Sequence, residues 1–443
     1  MKYAEIRVEP PGPKAKKIVE DTMNTLSPSI DRFYPLVVDS AHGCLVKDVD
    51  GNTYIDMNSG LGVLSVGSTP REVVDAVTSQ AKKFIHYSYT DFYYQNVTSL
   101  AKKLFEITPG TFEKRAYFGN SGAEAVEAAI KLARYHTKRP RIMAFTGAFH
   151  GRTMGAVSLT ASKTKQMRGF SPLLPGVTHV PYPYCYRCPF GKSYPDCGYF
   201  CIDYIKDQVL DKYVPADEVS SIFFEPIQGE GGYVVPPDDY FKRLQKIAKD
   251  NGILLVDDEV QSGMGRTGRW FAIEHFDIVP DMILIAKGIA AGMPLSALVT
   301  GKDTMDWQPG AHASTFGANP VAVESALATI SMIEKKKLLQ NAEKLGRHMM
   351  KRLEEMKEKY EIIGDVRGKG LMVGVEIVKD KKSKEYGVKE MQSIIDYSWK
   401  HGALLISCGK STVRIFPPLI MEQDMLDEGL DIFESAVKLN NKS

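Results

Sequence analysis

Apolar residues fall along this chain in short blocks that end abruptly in charge. Residues 253–256 read Ile-Leu-Leu-Val and run into Asp257, Asp258, Glu259 and Gln261, while residues 282–285 read Met-Ile-Leu-Ile and run into Ala286, Lys287 and Gly288. Four continuous apolar positions are too few for the core face of a helix and suit strands buried on both sides. Similar blocks at 116–118, 141–145 and 221–224 predict further strands, and residues 240–248 predict a helix between two of them. Residues 44–56 alternate apolar and polar positions around Asp50-Gly51, the pattern of a hairpin. A long helical pattern runs from about 322 to 359 with a break near Lys337. It precedes a strand at 371–377, a helix at 391–399, strands at 404–406 and 413–415, and a terminal helix. Such mixing at the end suits a small α+β unit beside an α/β core.

Composition narrows the class without naming the chemistry. A chain of 443 residues exceeds one small core, and 44% hydrophobic with 25% charged residues is ordinary for a soluble enzyme. A net charge of +2 argues against the concentrated basic face of a nucleic-acid binder. Apolar runs stay far below the ~20 residues that span a bilayer. The first residues carry charges and Pro10, Pro11 and Pro13 where a secretory signal needs an apolar block. The expectation is a cytoplasmic protein without membrane or nucleic-acid partners, its first thirty or so residues packing as an arm over the body. Four of the six cysteines, Cys185, Cys188, Cys197 and Cys201, crowd one loop. Two disulfides, a structural zinc or free thiols all fit that spacing, although a mesophilic cytosol disfavours disulfides. No metal ligand is assigned among them.

In an open α/β sheet the ligand crevice lies beyond the carboxyl ends of the strands, so Asp258 and Lys287 converge there. A lysine after a strand is usually a solvated strand end. Here Gly288, Ala290, Ala291 and Gly292 surround Lys287 with small residues, as where backbone presses on a bulky ligand. Carboxylates at the tip of an apolar strand cost several kcal/mol, roughly the penalty of an unpaired buried ion, unless a cation such as a protonated heterocycle meets them. The strand at 116–118 leads through Gly119-Asn120-Ser121-Gly122 into a helix with Ala123, Val126, Ala129, Ile130 and Ala133 on one face. Strand, glycine turn and helix start together make an anion site, because the first N–H groups are unpaired and the helix dipole is positive there.

The run from Asp257 through Gly263 to Gly268, followed by Ala286-Lys287-Gly288, resembles the signature of the class III aminotransferases. These are pyridoxal-phosphate enzymes of fold type I that include the 4-aminobutyrate and ornithine aminotransferases, and the likeness covers nearly the whole chain. It implies an α/β fold with a large cofactor-binding domain, 61–325, whose mostly parallel seven-stranded sheet is sandwiched by helices. It also implies a smaller α+β domain, 326–443, joined by the N-terminal arm and hairpin, 1–60. By the same resemblance Lys287 holds pyridoxal 5'-phosphate covalently, Asp258 pairs with the pyridinium nitrogen and Gln261 meets the ring hydroxyl. Phe149 stacks on the ring with His150 beside it, and the backbone of Gly122 and Ala123 cradles the phosphate. Thr315 reaches the phosphate of the other subunit in a homodimer or a dimer of dimers.

For substrates, the resemblance assigns Glu230 a place over the pocket and Arg414, with its planar fork, the α-carboxylate. Arg152 matches the position that takes the distal carboxylate in 4-aminobutyrate enzymes, although relatives with other substrates carry it too. The chain has Gly67-Ser68-Thr69-Pro70-Arg71 where many relatives have Gly-His-x-His-Pro. Lys287, Asp258 and Glu230 are the expected catalytic set. The implied reaction moves an amino group from an ω-amino acid of the 4-aminobutyrate, ornithine or lysine type to a 2-oxo acid such as 2-oxoglutarate or pyruvate. Glu230 is expected to pair with Arg414 while an ω-amine is bound and to release it to an incoming 2-oxo acid. An alternative on the same fold is an amino-acid racemase or epimerase, which uses the same lysine and cofactor plus a second acid. A zinc-bearing binding module with a degenerate core is a third reading, against which stands the retention of Lys287, Asp258, Gln261 and Arg414.

Overall fold

The apolar blocks become the middle of one seven-stranded sheet in the computed structural model, which describes residues 2–441. Ahead of that sheet come β1 (Val38–His42), β2 (Leu45–Asp48) and β3 (Thr53–Asp56). The sheet itself contains β4 (Lys114–Gly119), β5 (Arg141–Phe145), β6 (Val177–Val180), β7 (Val219–Phe224), β8 (Leu254–Asp258), β9 (Met282–Ile285) and β10 (Ser296–Gly301). Its order is β4-β10-β9-β8-β7-β5-β6. Only β10 runs against its neighbours, and the pairs β9-β8, β8-β7, β7-β5 and β5-β6 are parallel. The mostly parallel seven-stranded sheet expected from the resemblance is present. Every residue of β7 and β9 is buried, as the continuous apolar run of β9 and the Ile222-Phe223-Phe224 block of β7 lead one to expect.

Register decides where the chemistry emerges. Asp258 pairs with Leu284, so β8 and β9 end almost level and deliver Asp258 and Lys287 to the same edge. Strand alternation then splits the acids: neighbouring residues point to opposite faces, and only one of Asp257 and Asp258 reaches the crevice. Asp257 is the one turned away, fully buried with neither carboxylate oxygen bonded.

The hairpin expected at 44–56 forms from β2 and β3. Ala403–Leu404 (β13) adds to β3 in parallel, so the start and end of the chain share a sheet. Glu428 strengthens that junction by accepting the N–H groups of Tyr3 and Ala4 at 2.8 Å each. Near it, β11 (Ile363–Lys369), β12 (Met372–Ile377), β14 (Ile406–Cys408) and β15 (Thr412–Ile415) form an antiparallel sheet in the order β11-β12-β15-β14. The long helical pattern divides into Pro320–Lys335 and Leu338–Lys359, because Lys337 adopts φ 53° and breaks the ladder at the expected place. Among the described residues, no helix is long and apolar enough to cross a membrane.

Candidate active site

A cavity of about 410 Å³ opens beyond the ends of β8 and β9. Lys287, Asp258, Gln261, Glu230, Phe149, His150, Arg152, Gly122 and Ala123 all line it. Arg414 lies one layer behind Glu230, its Nη1 2.8 Å from Glu230 Oε1. Thr315 alone of the expected residues is elsewhere: it is exposed, outside the cavity of its own chain.

The helix Gly122–Thr137 starts at the cavity wall, with Ser121 Oγ accepting the Glu124 N–H as cap. Glu124 in turn accepts from Asn120 N and Nδ2, which holds the turn ahead of the cap. A Cβ at Gly122 would stand 3.0 Å from Val260 Cγ1, so the helix start is packed against the chain two residues past Asp258. The N–H groups of Gly122 and Ala123 therefore point a positive helix end at the cavity.

Lys287 follows β9 at φ 44°, a left-handed conformation that costs a non-glycine residue of order 1 kcal/mol and is held by its surroundings. The small residues beside it have a different cause from the one expected. A Cβ on Gly288 would come within 2.3 Å of Ser65 Oγ, so its smallness admits Ser65 rather than a ligand. Gly292 does line the cavity. Burial pushes the Lys287 amine below its ordinary value, opposed by Asp258 and Glu230 and assisted by Arg414. A larger neutral fraction at physiological pH makes the amine a competent nucleophile and base.

Asp258 is met by a partner 108 positions away, its Oδ2 accepting a hydrogen bond from His150 Nδ1 at 2.7 Å. Burial alone would lower His150, but the bond to Asp258, the Asp258 charge and Glu225 together raise it. Glu225 was not singled out from the sequence. It is buried at the cavity floor, accepting from Phe149 N at 3.1 Å and Gly229 N at 3.0 Å, and burial pushes it up to about 7. Phe149 is half-buried at the wall, and the Arg152 guanidinium sits 5.5 Å from its ring centroid.

Glu230 is set by the loop after β7, whose Gly232 carbonyl accepts from Arg367 Nε at 3.0 Å. Arg367 also pairs with the buried Glu376 at 2.8 Å, and Tyr184 and Arg187 of the cysteine loop bond the same carboxylate. The cysteine loop is thus tied to the segment that carries Glu230. All six cysteines are unpaired. Among the described residues, no group of three or more His, Cys, Asp or Glu is arranged to hold a metal ion. Burial pushes Cys185 up to about 11 and Cys201 up to about 12, so both are neutral thiols at physiological pH.

A crevice that joins an amine lowered by its surroundings, a buried carboxylate and a helix N-terminus at the edge of a mostly parallel sheet agrees with what whole-chain comparison shows. The class-III aminotransferase family model matches residues 26–437. The chain belongs to the class III aminotransferases. An alanine/serine racemase of Pyrococcus horikoshii is 42% identical over 99% of this chain and 93% of its own. A 4-aminobutyrate aminotransferase of Mycobacterium leprae is 38% identical over 97% and 96%. Among solved structures, a thermostable (S)-enantioselective omega-transaminase from Thermomicrobium roseum superposes with a TM-score of 0.89 at 29% identity, covering 97% of this chain and 99% of its own.

As a class III aminotransferase this is a pyridoxal-phosphate-dependent enzyme, and the cavity fits that group. Gln261 Oε1 is buried without a hydrogen-bond partner at the cavity wall, an acceptor that a ring hydroxyl would satisfy. The helix end suits a phosphate, and the buried Asp258 suits a cationic ring nitrogen.

Proposed function

We propose that this class III aminotransferase moves an amino group from an ω-amino acid of the 4-aminobutyrate, ornithine or lysine type to a 2-oxo acid such as 2-oxoglutarate or pyruvate. The observation that carries this reading is the Glu230–Arg414 ion pair at 2.8 Å. Arg414 is 2% exposed, and its cation would demand a carboxylate from every substrate if nothing else neutralised it. Glu230 supplies that neutralisation, so a donor presenting only its ω-amine and methylene chain can occupy the pocket. An acceptor's α-carboxylate then replaces Glu230 on the guanidinium fork.

The proposed roles follow from position. Lys287 Nζ would hold the cofactor covalently and, when free, would carry the proton away from the amine-bearing carbon of the donor. When bound, the cofactor supplies an electron sink for the pair left behind by that proton. Asp258 would keep a negative charge at the ring nitrogen, Gln261 would meet the ring hydroxyl, and Phe149 would stack on the ring with His150 beside it. Gly122 and Ala123 would hold the phosphate by backbone N–H groups, and Arg152 at the mouth would take a distal carboxylate.

Thr315 fits a homodimer or dimer of dimers in which it completes the partner's phosphate site. An exposed apolar patch supports this reading: Ile85 is 64% exposed, Tyr87 61%, Tyr93 98% and Phe316 62%. Such a patch is larger than isolated surface residues account for and marks an interface. Sedimentation of the purified chain is expected to give at least the dimer mass. A monomer at full activity would remove the shared-site reading. A cytoplasmic setting is part of this proposal.

Racemisation is the second reading. It is favoured by the identity to an alanine/serine racemase, 42% against 38% for the 4-aminobutyrate aminotransferase. One experiment separates the two: incubation with a panel of amines and 2-oxoglutarate or pyruvate, beside single L-amino acids without any oxo acid, followed by chiral analysis. Aminotransfer is expected to appear as 2-oxo-acid-dependent conversion of ω-amino donors. Accumulation of D-isomers without an oxo acid, and no ω-amine conversion, would replace the first reading with the second.

A further inference from the structure

Three cations bear on Glu230, and Lys163 is the one that the sequence did not mark. Glu230 Oε1 lies 2.8 Å from Arg414 Nη1, and Oε2 lies 3.6 Å from Lys163 Nζ. Lys287 adds its charge to theirs, and the three outweigh burial in holding the Glu230 carboxyl below its ordinary value. The contact with Arg414 is close but poorly aligned, since neither Nε nor Nη1 of that guanidinium makes a well-directed hydrogen bond. Its fork therefore remains available to a better-placed carboxylate.

The gate read under Proposed function, on which this inference rests, leaves one requirement unmet. A substrate carboxylate that takes Arg414 expels Glu230, which is itself only 18% exposed and then faces a like charge. An expelled carboxylate in that setting needs another cation. Arg152 lines the same cavity, but its guanidinium rests over the Phe149 ring and makes no ion pair with Glu230. Lys287 is committed to the chemistry. Lys163 stands on the opposite side of Glu230 from Arg414 in its pairing, is 31% exposed, and follows the helix Met154–Leu159. Its loop is anchored, with Ser162 Oγ and Lys163 N both donating to Gln166 Oε1 at 2.7 and 3.1 Å.

We propose that Lys163 is the second partner of Glu230, receiving the carboxylate released from Arg414 and so positioning the gate open for α-carboxylate substrates. A small side-chain rotation lengthens one ion pair and shortens the other. Lys163 is thereby a positioning residue for one half of the reaction and is dispensable for the half that uses an ω-amine.

The test uses the cofactor-loaded enzyme with Lys163→Met and Lys163→Arg, each in wild-type and Glu230→Gln backgrounds. Two readouts are taken: KM and kcat for a 2-oxo acid and for an ω-amine donor, and the dissociation constant of glutarate, a non-reacting dicarboxylate, by calorimetry. Lys163→Met is expected to raise KM for the 2-oxo acid and the glutarate constant about five-fold, the upper range for a partly exposed ion pair, with kcat little changed. Use of the ω-amine is expected to hold within two-fold, Lys163→Arg to restore the 2-oxo acid, and Lys163→Met to add nothing once Glu230→Gln is present. A five-fold glutarate loss that persists in Glu230→Gln would mean that Lys163 binds substrate itself, and equal loss for both substrates would mean a general structural role. Either overturns the proposal. Glu230→Gln impairing both substrates equally would instead reject the underlying gate, whereas a selective Glu230→Gln with a silent Lys163→Met rejects Lys163 alone.

Discussion

Replacing Lys287 with alanine is expected to lower the rate by at least ~10²-fold, the usual worth of a positioned acid–base group. The expected loss is in kcat for donor and acceptor alike, because the proposed role of the amine is to move the proton at the carbon that gives up or receives the amino group, a step both halves require. Three observations concentrate this role on Lys287. It lines the cavity, its backbone is held at a positive φ, and burial of its amine lowers it so that the neutral form is accessible. Lys163, the other lysine close to the cavity, does not line it and is paired with Glu230. Circular dichroism is expected to show an intact fold, since the change removes an amine whose burial is itself unfavourable. A Lys287→Ala enzyme with wild-type kcat would contradict the role.

Replacing Asp258 with asparagine is expected to cost about 10–10²-fold, the value of one charge-assisted bond of roughly 1.5–3 kcal/mol. Shape is preserved, so the effect isolates charge. Asp258 accepts from His150 Nδ1 at 2.7 Å and from Val260 N at 3.1 Å, and an amide oxygen can still accept one of these. The lost negative charge no longer favours a protonated ring nitrogen. It also no longer supports His150, which is expected to return toward its burial-lowered, neutral state. The cofactor is expected to stay bound, since Lys287 and the start of the helix Gly122–Thr137 are untouched. Steady-state rates with cofactor content measured in parallel separate this from simple cofactor loss. Unchanged rates in a fully loaded Asp258→Asn enzyme would show that the carboxylate is structural.

How much was legible in the sequence follows burial. β8 and β9 are apolar on both faces, so their strand character and the residues they deliver could be read from four-residue blocks. β6 was missed because three of its four residues are only half-buried and its letters, Val-Thr-His-Val, carry no apolar block. β10 was missed although it is almost wholly buried, because Ser296 and Thr300 interrupt its apolar run. Alternation sends Asp257 away from the crevice, a consequence of strand geometry that a run of three acids conceals. The inference from small residues around Lys287 reached the right lysine through a partly mistaken cause, because Gly288 makes room for Ser65.

What remained out of reach was pairing across long separations. His150 and Asp258 are in different motifs, and nothing in either announces a 2.7 Å bond between them. Lys163 lies in a polar run, Ser-Lys-Thr-Lys-Gln, that reads as a solvated loop. Only the fold brings it to 3.6 Å from Glu230. Glu225 stood in plain view within a recognised run, yet its two backbone bonds come from residues on separate loops.

The central claim is that one amine, Lys287 Nζ, captures the cofactor aldehyde at this crevice. Borohydride reduction of the cofactor-loaded protein, followed by peptide mass spectrometry, tests it directly. The pyridoxyl mass is expected on the peptide containing Lys287 and on no other. The same mass on a different lysine, or no stable adduct in fully loaded protein, would contradict the account.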